Sequence, residues 1–178
     1  MRRLFRRQIR KTLAQEVPPI LQEANFAFDK GEYGRAGELF EKIAETAAAR
    51  GGPRAPLLYL QAGRARIFAG QTALGMPSLK RGLELLAQRR SFLRLHRLRR
   101  RLIHELRERG LEKEAAEIET WTISPEVAVS ETELQETPVK RPLLPTHCPS
   151  CGAAVRPDEV EWLDEVTAEC AYCGSPIR

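Results

Sequence analysis

From residue 18 to residue 121, apolar positions recur at intervals of three and four, the period that gathers them on one face of an α-helix. Short turns interrupt the pattern, which predicts six helices, over residues 19–30, 33–48, 55–69, 73–88, 91–109 and 112–121. Gly31, Gly70 and Gly110 each fall at the end of a predicted helix. A left-handed backbone position there favours glycine, which carries no Cβ. Ser91 stands where it can cap the fifth helix. Pro77 falls near the start of the fourth, where a missing N–H costs least. Ahead of these, residues 1–16 predict a short basic helix. Its apolar stripe is Leu4, Phe5, Ile9 and Leu13, surrounded by Arg2, Arg3, Arg6, Arg7, Arg10 and Lys11. The plain reading is a packing helix with a solvated basic face; a membrane-surface or nucleic-acid helix is the other.

The periodicity stops after residue 121. Residues 122–146 hold Pro125, Pro138, Pro142 and Pro145, with Glu126, Glu131, Glu133 and Glu136 setting the charge. That composition predicts an acidic, disordered linker. Beyond it, Val155, Val160, Trp162, Val166 and Ala168 read as short strands of a hairpin. The chain therefore divides into a basic helix (1–16), a helical domain (17–121), a linker (122–146) and a small β unit (147–178). The fold class is mainly α, with antiparallel helical hairpins and a small β module at the C-terminus.

The three turn glycines are 39 and 40 residues apart, and each is followed within five residues by Ala36, Gly75 or Ala115. The first unit runs from Ala24 through Phe26, Phe28, Gly31, Tyr33 and Ala36 to Phe40 and resembles a tetratricopeptide repeat. Small residues let the two helices of a hairpin approach, and the aromatic fills the gap to the next hairpin. The second unit matches through Gly63, Gly70, Gly75 and Leu79, the third through Gly110 and Ala115. The spacing exceeds the usual 34 by five or six residues, so longer loops are expected. A generic bundle of helical hairpins is the alternative.

Cysteine is confined to the C-terminal unit, as Cys148, Cys151, Cys170 and Cys173. Two C-x2-C pairs separated by eighteen residues match the spacing of zinc sites. Each turn directs two sulfurs at one point, and Gly152 and Gly174 let the backbone fold beneath them. These residues resemble a zinc ribbon with rubredoxin-like knuckles. The resemblance implies one structural Zn2+ with four protein ligands and no open position. So small a unit buries too little surface to fold on its core alone, and metal binding supplies much of its folding energy. Two disulfides, an iron centre or a redox dithiol are the alternatives; a reducing compartment argues against the first. His147 is expected beside the site or in solvent.

Charge sharpens the division. Residues 1–121 carry 25 Lys and Arg against 14 Asp and Glu, and residues 122–178 carry 4 against 10. A basic body with an acidic tail points to an acidic partner, or to attraction between the two parts. Residues 89–109 hold nine Arg against two Glu. Arg94, Arg97, Arg101 and His104 form one helical stripe, and Leu95, Leu98, Leu102 and Leu106 the neighbouring buried one. The repeat family holds peptides on a concave face lined by the first helix of each hairpin. Asn25, Arg97 and Arg101 fall where one subgroup clamps terminal carboxylates. Leu21 and Gln61 replace the Lys and Asn of that clamp, so a groove favouring an acidic segment is the expectation. Arg64, Arg97, Arg101 and His104 would line it, with Asn25, Phe28 and Ile67 as further contacts. The acidic stretch from Glu126 to Glu136 is placed to compete for it in cis.

No phosphate loop or nucleophile elbow is present, and His96, His104 and His147 have no partner at a recognisable spacing. The expectation is a non-catalytic adaptor for a protein partner, with no small-molecule substrate. The second reading is a nucleic-acid binder using residues 91–109 and the basic N-terminus. The acidic residues between the cysteine pairs and the scarcity of stacking aromatics count against it. No apolar run approaches the roughly 18 residues of a membrane span. Residues 1–13 lack the apolar stretch of a secretory signal and the Ser content of a transit peptide, so a cytoplasmic location is expected.

Overall fold

The computed structural model describes residues 17–121, 142–157 and 160–178. The basic helix expected over 1–16 and most of the expected linker lie outside the described residues. Six helices follow in order: α1 (Pro19–Asp29), α2 (Tyr33–Ala49), α3 (Ala55–Phe68), α4 (Thr72–Gln88), α5 (Phe92–Glu108) and α6 (Glu112–Thr120). Each helix packs on the next, so the chain zigzags through antiparallel hairpins. Among the described residues, no helix is long and apolar enough to cross a membrane.

The first five helices end in one recurring way. After α1, the Gly31 N–H bonds to the Phe28 carbonyl and the Glu32 N–H to the Ala27 carbonyl. That pair of bonds is the Schellman motif, which satisfies carbonyls that would otherwise be orphaned. It recurs at Gly70–Gln71 and Gly110–Leu111, as the spacing of glycines predicts, and also at Gly51–Gly52 and Arg90–Ser91. Arg90 takes φ 56°, a conformation that strains any residue with a Cβ. Ser91 is the N-cap of α5, but its hydroxyl makes no capping bond. Pro77 lies inside α4 and not at its start, because the helix begins at Thr72. The Ala73 carbonyl therefore loses its helical donor.

Helix α3 is the centre of the fold. Twelve of its fourteen residues are buried, among them Gln61, Arg64 and Arg66, so it is enclosed on all sides rather than amphipathic. Its approach to α4 depends on glycine. A Cβ on Gly63 would meet the Leu79 side chain at 2.7 Å and the Gly75 carbonyl at 2.8 Å. On the α2 and α4 side of α3, Arg66 donates to Gln71 and to Glu41, which also accepts from Ser78. At the hairpin turns Phe28 packs against Tyr33, Phe40 and Phe68, with the Arg109 guanidinium 3.5 Å from the Phe68 ring centre.

The C-terminal unit is a three-stranded antiparallel sheet in the order β1 (Glu161–Trp162), β2 (Ala168–Glu169), β3 (Pro176–Ile177). Trp162 lies opposite Ala168, and Ala168 opposite Ile177. Asp164 closes the first turn by accepting from the Val166 and Thr167 amides. The third strand was not expected, since Pro176–Ile177 is too short to show a period. Val160 and Val166 flank the strands instead of lying in them, and Val155 is tied to Thr146 by a single amide bond. Helices and sheet share one buried cluster, in which Cys148, Cys170, Tyr172 and Ile177 join Leu57, Leu98 and Leu102.

The α3–α4 contact gives a paired prediction. Gly63→Ala should destabilise the protein by about 1–3 kcal/mol through overpacking in urea unfolding. Gly34→Ala, in α2 and with nothing closer than 3.9 Å to the added carbon, should be neutral or stabilise by up to about 1 kcal/mol.

Candidate metal centre

Each cysteine pair sits on a tight hairpin tip. In the first, the Cys148 amide donates to the Ala153 carbonyl and the Gly152 amide to the Cys148 carbonyl. In the second, Cys170 donates to Ser175 and Gly174 to Cys170, both at 2.9 Å. Gly152 and Gly174 take φ 75° and 78°, the left-handed turn that only glycine enters without strain. The two tips are thus near-copies, and they bring their sulfurs to one point.

All four Sγ atoms are buried and lie within 4.8 Å of one another. Cys148 and Cys173 are 3.7 Å apart, Cys151 and Cys170 3.8 Å. These are not disulfides, whose sulfurs are about 2.0 Å apart. A tetrahedron with metal–sulfur bonds of about 2.3 Å has edges of about 3.8 Å, so the residues fit a four-coordinate soft cation. Protons are shared unequally within the cluster. The Cys148 thiol is pushed well below its ordinary range by hydrogen bonds from Cys151, then Cys170 and Cys173. Cys151 is pushed far up by holding a proton toward Cys148, and Cys170 is also raised, first by Cys148. Cys173 is lowered to about 6: Cys148 acts to raise it, and Cys151 and Cys170 outweigh that. A bound cation takes the place of the retained protons.

His147 stands outside the sulfur cluster, half-exposed, with Nε2 3.6 Å from an Asp29 carboxylate oxygen on α1. That contact is one of several between this unit and the face formed by α1, α3 and α5. Asn25 Nδ2 donates to the Cys151 carbonyl at 2.8 Å and Gln22 Nε2 to the Ser150 carbonyl at 2.9 Å. Arg54, just before α3, pairs with Glu169 at 2.8 Å. Its guanidinium lies where a Cβ on Gly174 would stand. Tyr172, in the second tip, lines a small gap together with Leu57, Leu60 and Arg64 of α3 and Leu98, Arg101 and Leu102 of α5.

Beside that gap Glu105 gathers positive charge. Arg64 binds it through two bonds of 2.8 Å, Arg156 approaches at 3.0 Å and Arg101 at 3.7 Å. Arg64 also donates to Gln61, and its side chain is only 8% exposed.

The residues expected to line a groove therefore have varied places. Asn25, Arg64 and Arg101 do meet on one face, and the chain's own C-terminal unit covers them. Ile67 is buried against α4 opposite Gly75, and Phe28 belongs to the aromatic cluster at the turns. His104 is exposed and lies 3.2 Å from Glu108. The Leu stripe of α5 is buried as expected, whereas Arg94, Arg97 and Arg101 are half-buried and each is engaged within the chain. Sequence reasoning passed over Gln22, Arg54, Glu105, Arg156 and Tyr172. Only Glu105 carried a signal, as one of two carboxylates among nine Arg in residues 89–109. Comparison with protein families, with curated proteins and with solved structures finds no match to the chain.

The Arg64–Glu105 pair should be costly to break and cheap to replace. Glu105→Ala leaves a buried guanidinium without its carboxylate and should cost about 3–5 kcal/mol in urea unfolding. The double variant Arg64→Leu, Glu105→Leu should recover most of that loss.

Proposed function

We propose that Cys148, Cys151, Cys170 and Cys173 hold one structural zinc ion, and that the chain is a non-catalytic adaptor for a protein partner. The observation that carries the metal assignment is the convergence of four buried sulfurs within 4.8 Å of one another, two pairs of them at 3.7 and 3.8 Å. An all-sulfur tetrahedron suits zinc or iron–sulfur chemistry. Zinc is preferred because the two C-x2-C tips, their glycines and the eighteen-residue spacing resemble those of a zinc ribbon. With four protein ligands, no position is left for water or substrate, and the ion's work is to hold the two tips together.

The adaptor reading rests on the helical hairpins, which resemble tetratricopeptide repeats, and on the state of their charges. Arg64, Arg101 and Arg156 share Glu105, Arg107 pairs with Glu119, and Lys80 with Glu117. Cations so paired attract a phosphate backbone weakly, since each must leave a carboxylate first. A protein partner with an acidic segment can meet the exposed rim of α5 at His104, beside Arg97. A cytoplasmic location accords with four reduced cysteines.

Metal analysis of the purified chain should give one zinc per molecule and none of the visible absorption of iron bound to thiolate. Cys151→Ser and Cys170→Ser should each abolish tight binding. Iron in place of zinc, or wild-type protein without metal, would overturn the assignment. For the partner, anisotropy with short DNA and RNA at about 0.15 M salt should show nothing tighter than the roughly 10⁻⁴–10⁻⁶ M of nonspecific contacts. A labelled Glu-rich peptide should bind more tightly than that and lose affinity on Arg97→Ala with His104→Ala. Submicromolar nucleic-acid binding, lost with rising salt and on changing Arg94, Arg97 and Arg101 to Ala, would reverse the preference.

A further inference from the structure

The contact between α1 and the first cysteine tip falls on the ligand loop itself. Gln22 and Asn25 donate to the carbonyls of Ser150 and Cys151, the last two residues of the Cys148–Cys151 turn. Asn25 is only 4% exposed, so its bond is made in a dry environment, where losing a partner is expensive. The second tip is held differently. Tyr172 stands between Cys170 and Cys173, is 6% exposed, and meets α3 and α5. Thus one tip engages the helices through two carbonyls, and the other through one aromatic ring and the Arg54 guanidinium at Gly174.

Each tip is closed by its own backbone bonds, and the two are set against each other where their sulfurs meet. The carbonyls at 150 and 151 face α1 because the first turn is closed, and Tyr172 lies at α3 and α5 because the second is. What closes the turns against each other is the meeting of their sulfurs. We infer that Gln22 and Asn25 are positioning residues for the metal centre, and that metal loading and closure of the C-terminal unit over α1, α3 and α5 are one coupled equilibrium. This inference rests on the structural-metal reading above and adds a regulation to it. The part of the expected partner face that holds Asn25, Arg64 and Arg101 is covered by the metal-loaded unit and is uncovered when the metal leaves, while the rim at His104 is exposed in either state.

Coupling of this kind is reciprocal: if the metal favours docking by some factor, docking favours the metal by the same factor. Residues that hold a ligand loop from outside commonly change metal affinity by about 10–100-fold when removed. The helical side has its own core around α3, with Phe40, Leu79 and Leu83 fully buried, so it can keep its structure when the unit lifts away.

The test uses the full chain and zinc itself, with a chromophoric chelator as competitor. Asn25→Ala and Gln22→Ala should each weaken zinc binding, by about tenfold or more for Asn25. Phe26→Ala, on the same helix but 61% exposed, should leave it unchanged. Zinc removal should raise the radius of gyration in small-angle scattering while the helical circular dichroism stays. Gln22 is exposed, so its variant keeps the test open if Asn25→Ala fails to fold. One zinc per chain with equal affinity in wild type and both variants would overturn the coupling and leave the structural zinc standing. Scattering unchanged by metal removal would overturn the uncovering in the same way. A wild-type chain that takes up no zinc removes both.

Discussion

Four sulfurs within 4.8 Å of one another in a buried site cannot all carry charge unless a cation sits among them. That constraint governs the C-terminal unit, residues 147–178. The strands there are two residues long, too short to hold a sheet by their own ladder. Their positions follow from the two hairpin tips, and the tips from the sulfurs. The docking of the unit follows in turn, because the ligand loops supply the groups that α1, α3 and α5 hold. Cys148, Cys170, Tyr172 and Ile177 belong to the same buried cluster as the leucines of α3 and α5, so the metal centre and the helical core are one packing problem.

The helical part obeys a different constraint, the close approach of α3 to its neighbours. An enclosed helix must bring its polar residues with partners, and α3 does so on two sides. Arg66 faces Glu41 and Gln71, and Arg64 faces Glu105 and Gln61. A buried ion pair is weak evidence for stability, because desolvation offsets much of the attraction. Its stronger consequence is register. Glu105 is bound by Arg64 of α3 and Arg156 of the C-terminal unit, so it ties the position of that unit to both α3 and α5.

Much of this was legible in the residues. Helix ends were readable to within one or two positions because the turns are short and four carry glycine at the left-handed position, three of them at a regular spacing. The same motif at Arg90 was not readable, since an arginine gives no hint of positive φ. Pro77 was read as an early position because proline is best tolerated there, and the true start of α4 at Thr72 puts it inside. The clustering of the four cysteines was legible because their spacing is that of two turns with a single point of convergence. The docking was not, because it joins side chains of α1 to backbone carbonyls 126 and 128 residues away. A carbonyl is present at every position and leaves no mark in a sequence. The charge asymmetry did anticipate attraction between the parts. It could not say that Arg54 with Glu169 would express it, nor that Arg156 with Glu105 would add a pair of the opposite polarity.

If Cys148, Cys151, Cys170 and Cys173 close a tetrahedron around one zinc ion, as proposed, X-ray absorption at the zinc edge reads that geometry directly. The spectrum should show four sulfur neighbours at about 2.3 Å and no nitrogen or oxygen in the shell. A shell containing a lighter atom, or fewer than four sulfurs, would contradict it.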